Sequence, residues 1–177
     1  LYLNLEGCSG LARLLFLHTE KNLTDLAYEF SSNGRLPASL HPYLQTAEKL
    51  SVIPPAEAIS ELQCIKEEEW LALLGAIAED GGYQSLLLDI GDNVRGIMEI
   101  LNLCERIYMP CRSDYVSAAK LEAFTASLEK HADTAHIQEK IHKLEFPYFE
   151  DLGEGFANLK YSGLGAYVRT LLSREER

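Results

Sequence analysis

The sequence predicts a three-layer α/β domain, a mostly parallel sheet flanked by helices, from three neighbouring observations. Leu86-Leu87-Leu88-Asp89-Ile90-Gly91-Asp92 is an apolar run ending in a carboxylate and a glycine, the pattern of a buried parallel strand that delivers an acid to the sheet's carboxyl edge. Before it, Glu67 to Asp80 places Trp70, Leu73, Leu74 and Ile77 on one helix face, and Gly81-Gly82 stops that helix. After it, Asn93 is positioned to cap a second helix with Ile97, Ile100, Leu101 and Cys104 on one face. Helix, buried strand, helix is the repeating unit of such a domain.

In chain order, Leu1 to Glu6 reads as a strand broken by Gly7-Cys8-Ser9-Gly10. Leu11 to Leu17 starts a short helix. Asn22 to Ser31 is another helix, with Leu23, Leu26, Ala27 and Phe30 on one side, ended by Ser31-Ser32-Asn33-Gly34. Leu36 to Ala47 stays ambiguous, with a short helix as one reading, and leads into a strand over Leu50 to Ile53 closed by Pro54-Pro55, because proline cannot continue a central ladder. Arg106 to Met109 is a further strand. Ser113 or Asp114 caps a long helix to about His131, and Asp133 or Thr134 begins a shorter one. Lys143 to Phe146 forms a weak last strand before Pro147, Glu150 to Gly155 a loop, and Leu164 to Leu172 a terminal helix. With neither an internal repeat nor a low-complexity linker, residues 1–177 are expected to form a single domain.

Composition narrows the function. A formal net charge of -11 argues against a surface built to grip phosphate backbones, so nucleic acid is not an expected partner. No apolar run reaches the ~20 residues that span a bilayer, and Leu1 to Leu17 has neither a basic leader nor a small-residue cleavage site. A soluble, cytoplasmic protein is expected. The four cysteines, Cys8, Cys64, Cys104 and Cys111, form no C-x-x-C pair and have no histidine at close ligand spacing, which predicts buried or half-buried free thiols and not zinc. The five histidines form no metal pattern either. Glu67-Glu68-Glu69 is read as a helix first turn facing its macrodipole.

An ordered set of strand endings carries a resemblance. Leu1-Tyr2-Leu3-Asn4-Leu5-Glu6-Gly7, Leu50-Ser51-Val52-Ile53-Pro54-Pro55, Tyr83 to Gly91 and Cys104-Glu105-Arg106-Ile107-Tyr108-Met109-Pro110 together resemble the MinD/ParA family of deviant Walker ATPases, and most of all its CpaE-like and TadZ-like pilus-assembly branch. The resemblance implies a P-loop NTPase-like fold in which these strands run parallel, with Glu6, Pro54, Gly91 and Pro110 at one edge. It places Asp89 on the Walker B aspartate that holds magnesium through water, and Glu6 on the acid that orients the attacking water. Asn4 stands where the family commonly has aspartate; it brings hydrogen bonding without charge. Gly91 is left able to swing toward a γ-phosphate; the family's adenine-side asparagine on a late strand has no clear counterpart, although Pro147 resembles the proline that follows the last strand and is counted with the cofactor-binding residues that the resemblance implies.

The same resemblance implies ATP and Mg2+ as cofactors, a nucleotide-dependent homodimer, and a protein partner in an assembly or positioning system. By analogy with MinD-like proteins, Tyr161 to Arg177 has a reading as a membrane-surface helix; its mixed charges favour packing on the sheet instead. One element is missing. No G-x-x-x-x-G-K-[ST] loop or lysine-bearing variant occurs in these residues, although phosphoryl transfer needs backbone N–H groups and a lysine around the phosphates. The family's strand for that loop lies centrally, beside the Asp89 strand, and its absence from a sheet's interior would cost roughly 1–3 kcal/mol per unsatisfied backbone group. The expectation is the carboxyl-terminal part of a nucleotide-binding domain whose loop lies upstream, inactive as an ATPase alone. Against it stand simpler roles: Asp89 or Asp92 as a helix cap, Glu6 as a solvated loop acid, and the whole as a non-catalytic interaction module.

Overall fold

A computed structural model describes residues 1–17, 20–47, 49–130, 135–148 and 156–175. The elements are β1 (Tyr2–Leu5), α1 (Leu11–Leu14), α2 (Leu23–Asn33), β2 (Gln45–Ala47), β3 (Leu50–Ile53), α3 (Ile59–Cys64), α4 (Glu67–Asp80), β4 (Leu87–Ile90), α5 (Ile97–Leu103), β5 (Ile107–Cys111), α6 (Tyr115–Glu129), α7 (Ala135–Lys140), β6 (Ile141–Glu145), α8 (Phe156–Leu159) and α9 (Gly163–Glu175). They fall into two compact units, Leu1–Leu103 and Cys104–Arg177. The architecture is mixed α/β, a mostly parallel sheet flanked by helices.

In the first unit the sheet order is β2-β3-β1-β4, with β1 parallel to both β3 and β4 and β2 antiparallel to β3. Because side chains alternate across a strand, Leu3 and Leu5 share one face of β1, and both are wholly buried in a core with Ile53, Leu23, Leu26, Trp70, Leu73 and Ile77. Each such leucine contributes about 1.5–3 kcal/mol through its removal from water. Tyr2 and Asn4 point to the opposite face, and the register Asn4↔Asp89 puts Asp89 beside them.

The helices begin and end for local reasons. At α2 the Asn22 side chain accepts hydrogen bonds from the backbone N–H groups of Thr24 (2.8 Å) and Asp25 (3.1 Å), while Asp25 accepts from Asn22 N–H (2.8 Å), a reciprocal capping box. Gly34 ends the helix in the left-handed region at φ 65°, which a side chain would resist. At α4 the expected acidic first turn caps the helix: Glu69 accepts the Lys66 N–H at 2.9 Å.

Among the described residues the Asp89 strand ends the sheet order, with Leu87 53% exposed and Asp89 exposed too, which fits the expectation that a strand is missing beside it. Several other expectations need correction. Asn93 does not cap α5, which starts four residues later at Ile97; its side chain donates to Asp92 Oδ1 at 3.1 Å instead. The ambiguous stretch holds a 3-10 turn over His41–Tyr43 and then β2, and α3 is a helix the sequence reading lacks. Cys8 and Cys64 are exposed, where buried or half-buried thiols are expected; Cys104 and Cys111 are half-buried, and none of the four is in a disulfide.

The second unit, taken by itself, pairs β5 with β6 in a two-stranded parallel sheet. The strand over Arg106 to Met109 thus has β6 as its partner instead of joining β1, β3 and β4 in their sheet. Asp114 caps α6, accepting the Ser117 N–H at 2.8 Å. The terminal helix α9 packs on the end of β6, since the Tyr167 hydroxyl donates to the Glu145 carbonyl at 2.6 Å and the Tyr167 ring lies 5.4 Å from that of Phe146. The expected cap at Asp133 or Thr134 and the Glu150 to Gly155 loop lie outside the described residues. Among the described residues no helix is long and apolar enough to cross a membrane.

Candidate functional site

Strand pairing brings four of the five expected site residues to one place. Asn4 and Asp89 sit opposite each other on β1 and β4, and Glu6 and Gly91 follow at the carboxyl ends of the same two strands. Crossover connections leave this edge of a parallel sheet open for ligands. The fifth, Pro147, is exposed on the turn after β6 in the other unit.

The centre of the site is a polar knot on the face opposite the leucine core. Asn4, only 2% exposed, donates from Nδ2 to Asp89 Oδ2 at 2.9 Å and accepts the Glu6 N–H on Oδ1 at 3.1 Å. Tyr2 donates its hydroxyl to the same Asp89 Oδ2 at 2.8 Å, and Asn4 Nδ2 also reaches the Tyr2 oxygen at 3.3 Å. A buried asparagine that gives and receives in this way leaves no polar group stranded. Burial, with the Asp89 charge as a lesser cause, pushes the Tyr2 phenol up to about 12, so it stays a donor at neutral pH.

Tyr2 is the site residue that sequence reasoning missed. Its signal was present: Tyr2 and Asn4 are two apart on one strand and therefore share a face.

Glu6 is exposed and close to Gly91. A methyl group on Gly91 would sit 3.2 Å from both Cα and Cγ of Glu6, tighter than ordinary contact, while Gly91 N–H reaches the Leu5 carbonyl at 3.5 Å. Gly7 is similarly constrained, since a Cβ there would fall 2.7 Å from Ile59 Cγ1. The two loops at this edge therefore approach closely because both carry glycine.

The donor set can be weighed against a magnesium ion. Asp89 Oδ2 is held by two donors, while Oδ1 has no partner among the described residues. Magnesium keeps several waters and takes one or two protein carboxylates along with phosphate oxygens, and a single oriented carboxylate fits that role. Among the described residues no group of three or more His, Cys, Asp or Glu could hold a metal by itself.

No protein-family model matches the chain, and no curated protein matches it. Among solved structures it is similar to the crystal structure of a ParA family ATPase from Chlorobium tepidum TLS, with a TM-score of 0.66 at 15% identity over 81% of this chain. The chain spans 59% of that structure's length. At this identity the likeness is one of fold alone, an α/β chain with a mostly parallel sheet flanked by helices, as in that structure.

Proposed function

We propose that this chain is part of an ATP-dependent positioning or assembly switch resembling MinD/ParA proteins and, within them, the CpaE/TadZ-like proteins of pilus assembly. The observation that carries the reading is the convergence of Asp89, Asn4, Glu6 and Gly91 on adjacent carboxyl ends of two parallel strands. In this reading Asp89 would hold magnesium, Gly91 would let its loop approach a γ-phosphate, and Glu6 would orient a water. When bound, magnesium supplies the charge that neutralises phosphate oxygens. The remaining requirement is a lysine-bearing glycine loop beside Asp89, which these 177 residues do not encode. The switch acts as a nucleotide-dependent homodimer that recruits a protein partner.

Asn4 sets the chemical level of such a switch. An amide that ties Asp89 to the Glu6 backbone orients groups without adding charge, so hydrolysis depends on Glu6 and is slow and partner-dependent. The test is turnover of Mg2+-ATP by the protein as encoded, with and without Glu6→Gln. Slow turnover lost in the variant supports the reading, and turnover unaffected by it removes Glu6 from the mechanism. The 177-residue chain alone should hydrolyse nothing.

The second reading, a protein-interaction module with a degenerate NTPase fold, draws on the same asparagine and on the missing loop sequence. It predicts no Mg2+-ATP binding by the encoded protein at all.

A further inference from the structure

Tyr2, Asn4 and Asp89 share the face of the sheet opposite the leucine core, and the first two act on the third through a single atom. The Tyr2 hydroxyl donates to Asp89 Oδ2 at 2.8 Å, and Asn4 Nδ2 donates to the same oxygen at 2.9 Å. A carboxylate oxygen accepts about two hydrogen bonds, so the capacity of Oδ2 is used up. Oδ1 accepts none among the described residues. The carboxylate is therefore one-sided, with one oxygen spent on the protein and one left over.

Both donors are held in place. Asn4 is 2% exposed and its Oδ1 accepts the Glu6 N–H at 3.1 Å, so turning the amide away from Asp89 would break a second bond. Tyr2 stands opposite Leu87 in the register, and it reaches Asp89 diagonally, across roughly 8 Å between Cα atoms at ordinary strand spacings. A phenol spans that diagonal and a serine would not. Asn4 Nδ2 also reaches the Tyr2 oxygen at 3.3 Å, which steadies the hydroxyl from its other side.

We infer that Tyr2 is a positioning residue which, together with Asn4, restricts Asp89 to one open oxygen and so makes the site select magnesium against calcium. The inference rests on the reading in which Asp89 holds the ion. One carboxylate oxygen is enough for magnesium, which keeps most of its waters, whereas calcium is larger, gathers about six to eight oxygens and often takes both from one carboxylate. For both oxygens of Asp89 to serve a cation, Tyr2 and Asn4 would have to be displaced together. Losing Asn4 is the costlier half, because it strands an amide at a buried position. Tyr2→Phe keeps the ring and removes one of the two guards.

Calorimetric titrations of Mg2+-ATP and Ca2+-ATP into the protein as encoded test this, with wild type, Tyr2→Phe and Asp89→Asn side by side. Wild type should bind Mg2+-ATP the more tightly, and the ratio of the two affinities should fall roughly tenfold in Tyr2→Phe, the equivalent of one hydrogen bond to a charged group. A ratio unchanged in Tyr2→Phe would overturn the inference even if both affinities drop, because a tyrosine that only packs would weaken both alike. Equal affinity of the wild type for the two complexes would overturn it without any variant. Either result leaves the reading of Asp89 standing if Asp89→Asn still weakens Mg2+-ATP binding. Mg2+-ATP binding that is indifferent to Asp89→Asn, or absent from the wild type, would remove that reading and the inference with it.

Discussion

Asn4 links the two halves of the candidate site, since its amide holds Asp89 with one atom and the Glu6 backbone with the other. Asn4→Asp is therefore a sharp test. It replaces a donor 2.9 Å from Asp89 Oδ2 with a second carboxylate at a position only 2% exposed. The expected loss is about 1–3 kcal/mol at pH 7, partly restored by millimolar Mg2+, which would neutralise the pair. Thermal melts with and without the ion give both numbers. An unchanged melting temperature would mean that the Asn4–Asp89 bond contributes nothing to the fold.

Tyr2 makes a prediction at the other end of the pH scale. Its folded pKa of about 12 lies above the ordinary 10.0, so between those values the unfolded chain gives up the proton while the folded chain keeps it. The stabilisation is complete below pH 10.0 and is lost as pH rises through about 12. Tyr2→Phe should flatten that alkaline decline in a melting-temperature profile.

At the scale of elements, the long periodic segments were legible and the neighbour relations were not. The face Trp70, Leu73, Leu74, Ile77 and the glycine stop fix α4 to the residue, because a 3.6-residue period over fourteen positions has no competing reading. β4 was legible as a strand, and its edge position among the described residues matches the neighbour that the reading expected to be missing. Leu-Leu-Leu-Asp-Ile carries the signature of burial on both sides, yet which strands flank it is decided by distant residues that a local pattern does not contain. Short polar β2 and six-residue α3 give too few periods to register. The capping box at α2 yields its own prediction: Asn22→Ala leaves the Thr24 and Asp25 N–H groups without their acceptor and should lower stability by about 0.5–2 kcal/mol in denaturant unfolding.

For the whole molecule, acid is the informative variable. Hydrogen bonds from Tyr43 and then Lys21 hold Glu29 below its ordinary 4.5, the Ser31 hydroxyl and the Lys66 N–H do the same for Glu69, and the Ser117 N–H holds Asp114 below 3.8. Unfolding returns these groups to ordinary values, so at low pH the unfolded chain binds more protons. Their stabilisation is present above pH 4.5 and is lost as pH falls through the lower folded pKa values. Tyr43→Phe removes the leading donor to Glu29 and should make the acid decline of the first unit shallower, as read by circular dichroism between neutral and acidic pH.

The fold class was thus accessible from the pattern of the residues, and the grouping of Glu6, Asn4, Gly91 and Asp89 from the family resemblance that their strand endings carry. The measurement that bears most directly on their purpose is a calorimetric titration of Mg2+-ATP into the protein as encoded, wild type beside Asp89→Asn, with melts of both. Asparagine can keep the Tyr2 bond while removing the charge. The account predicts binding by the wild type, weakened by roughly tenfold or more in the variant at nearly equal melting temperature. Equal Mg2+-ATP affinity in the two proteins would contradict it and leave Asp89 as a structural acid on a ParA-like fold.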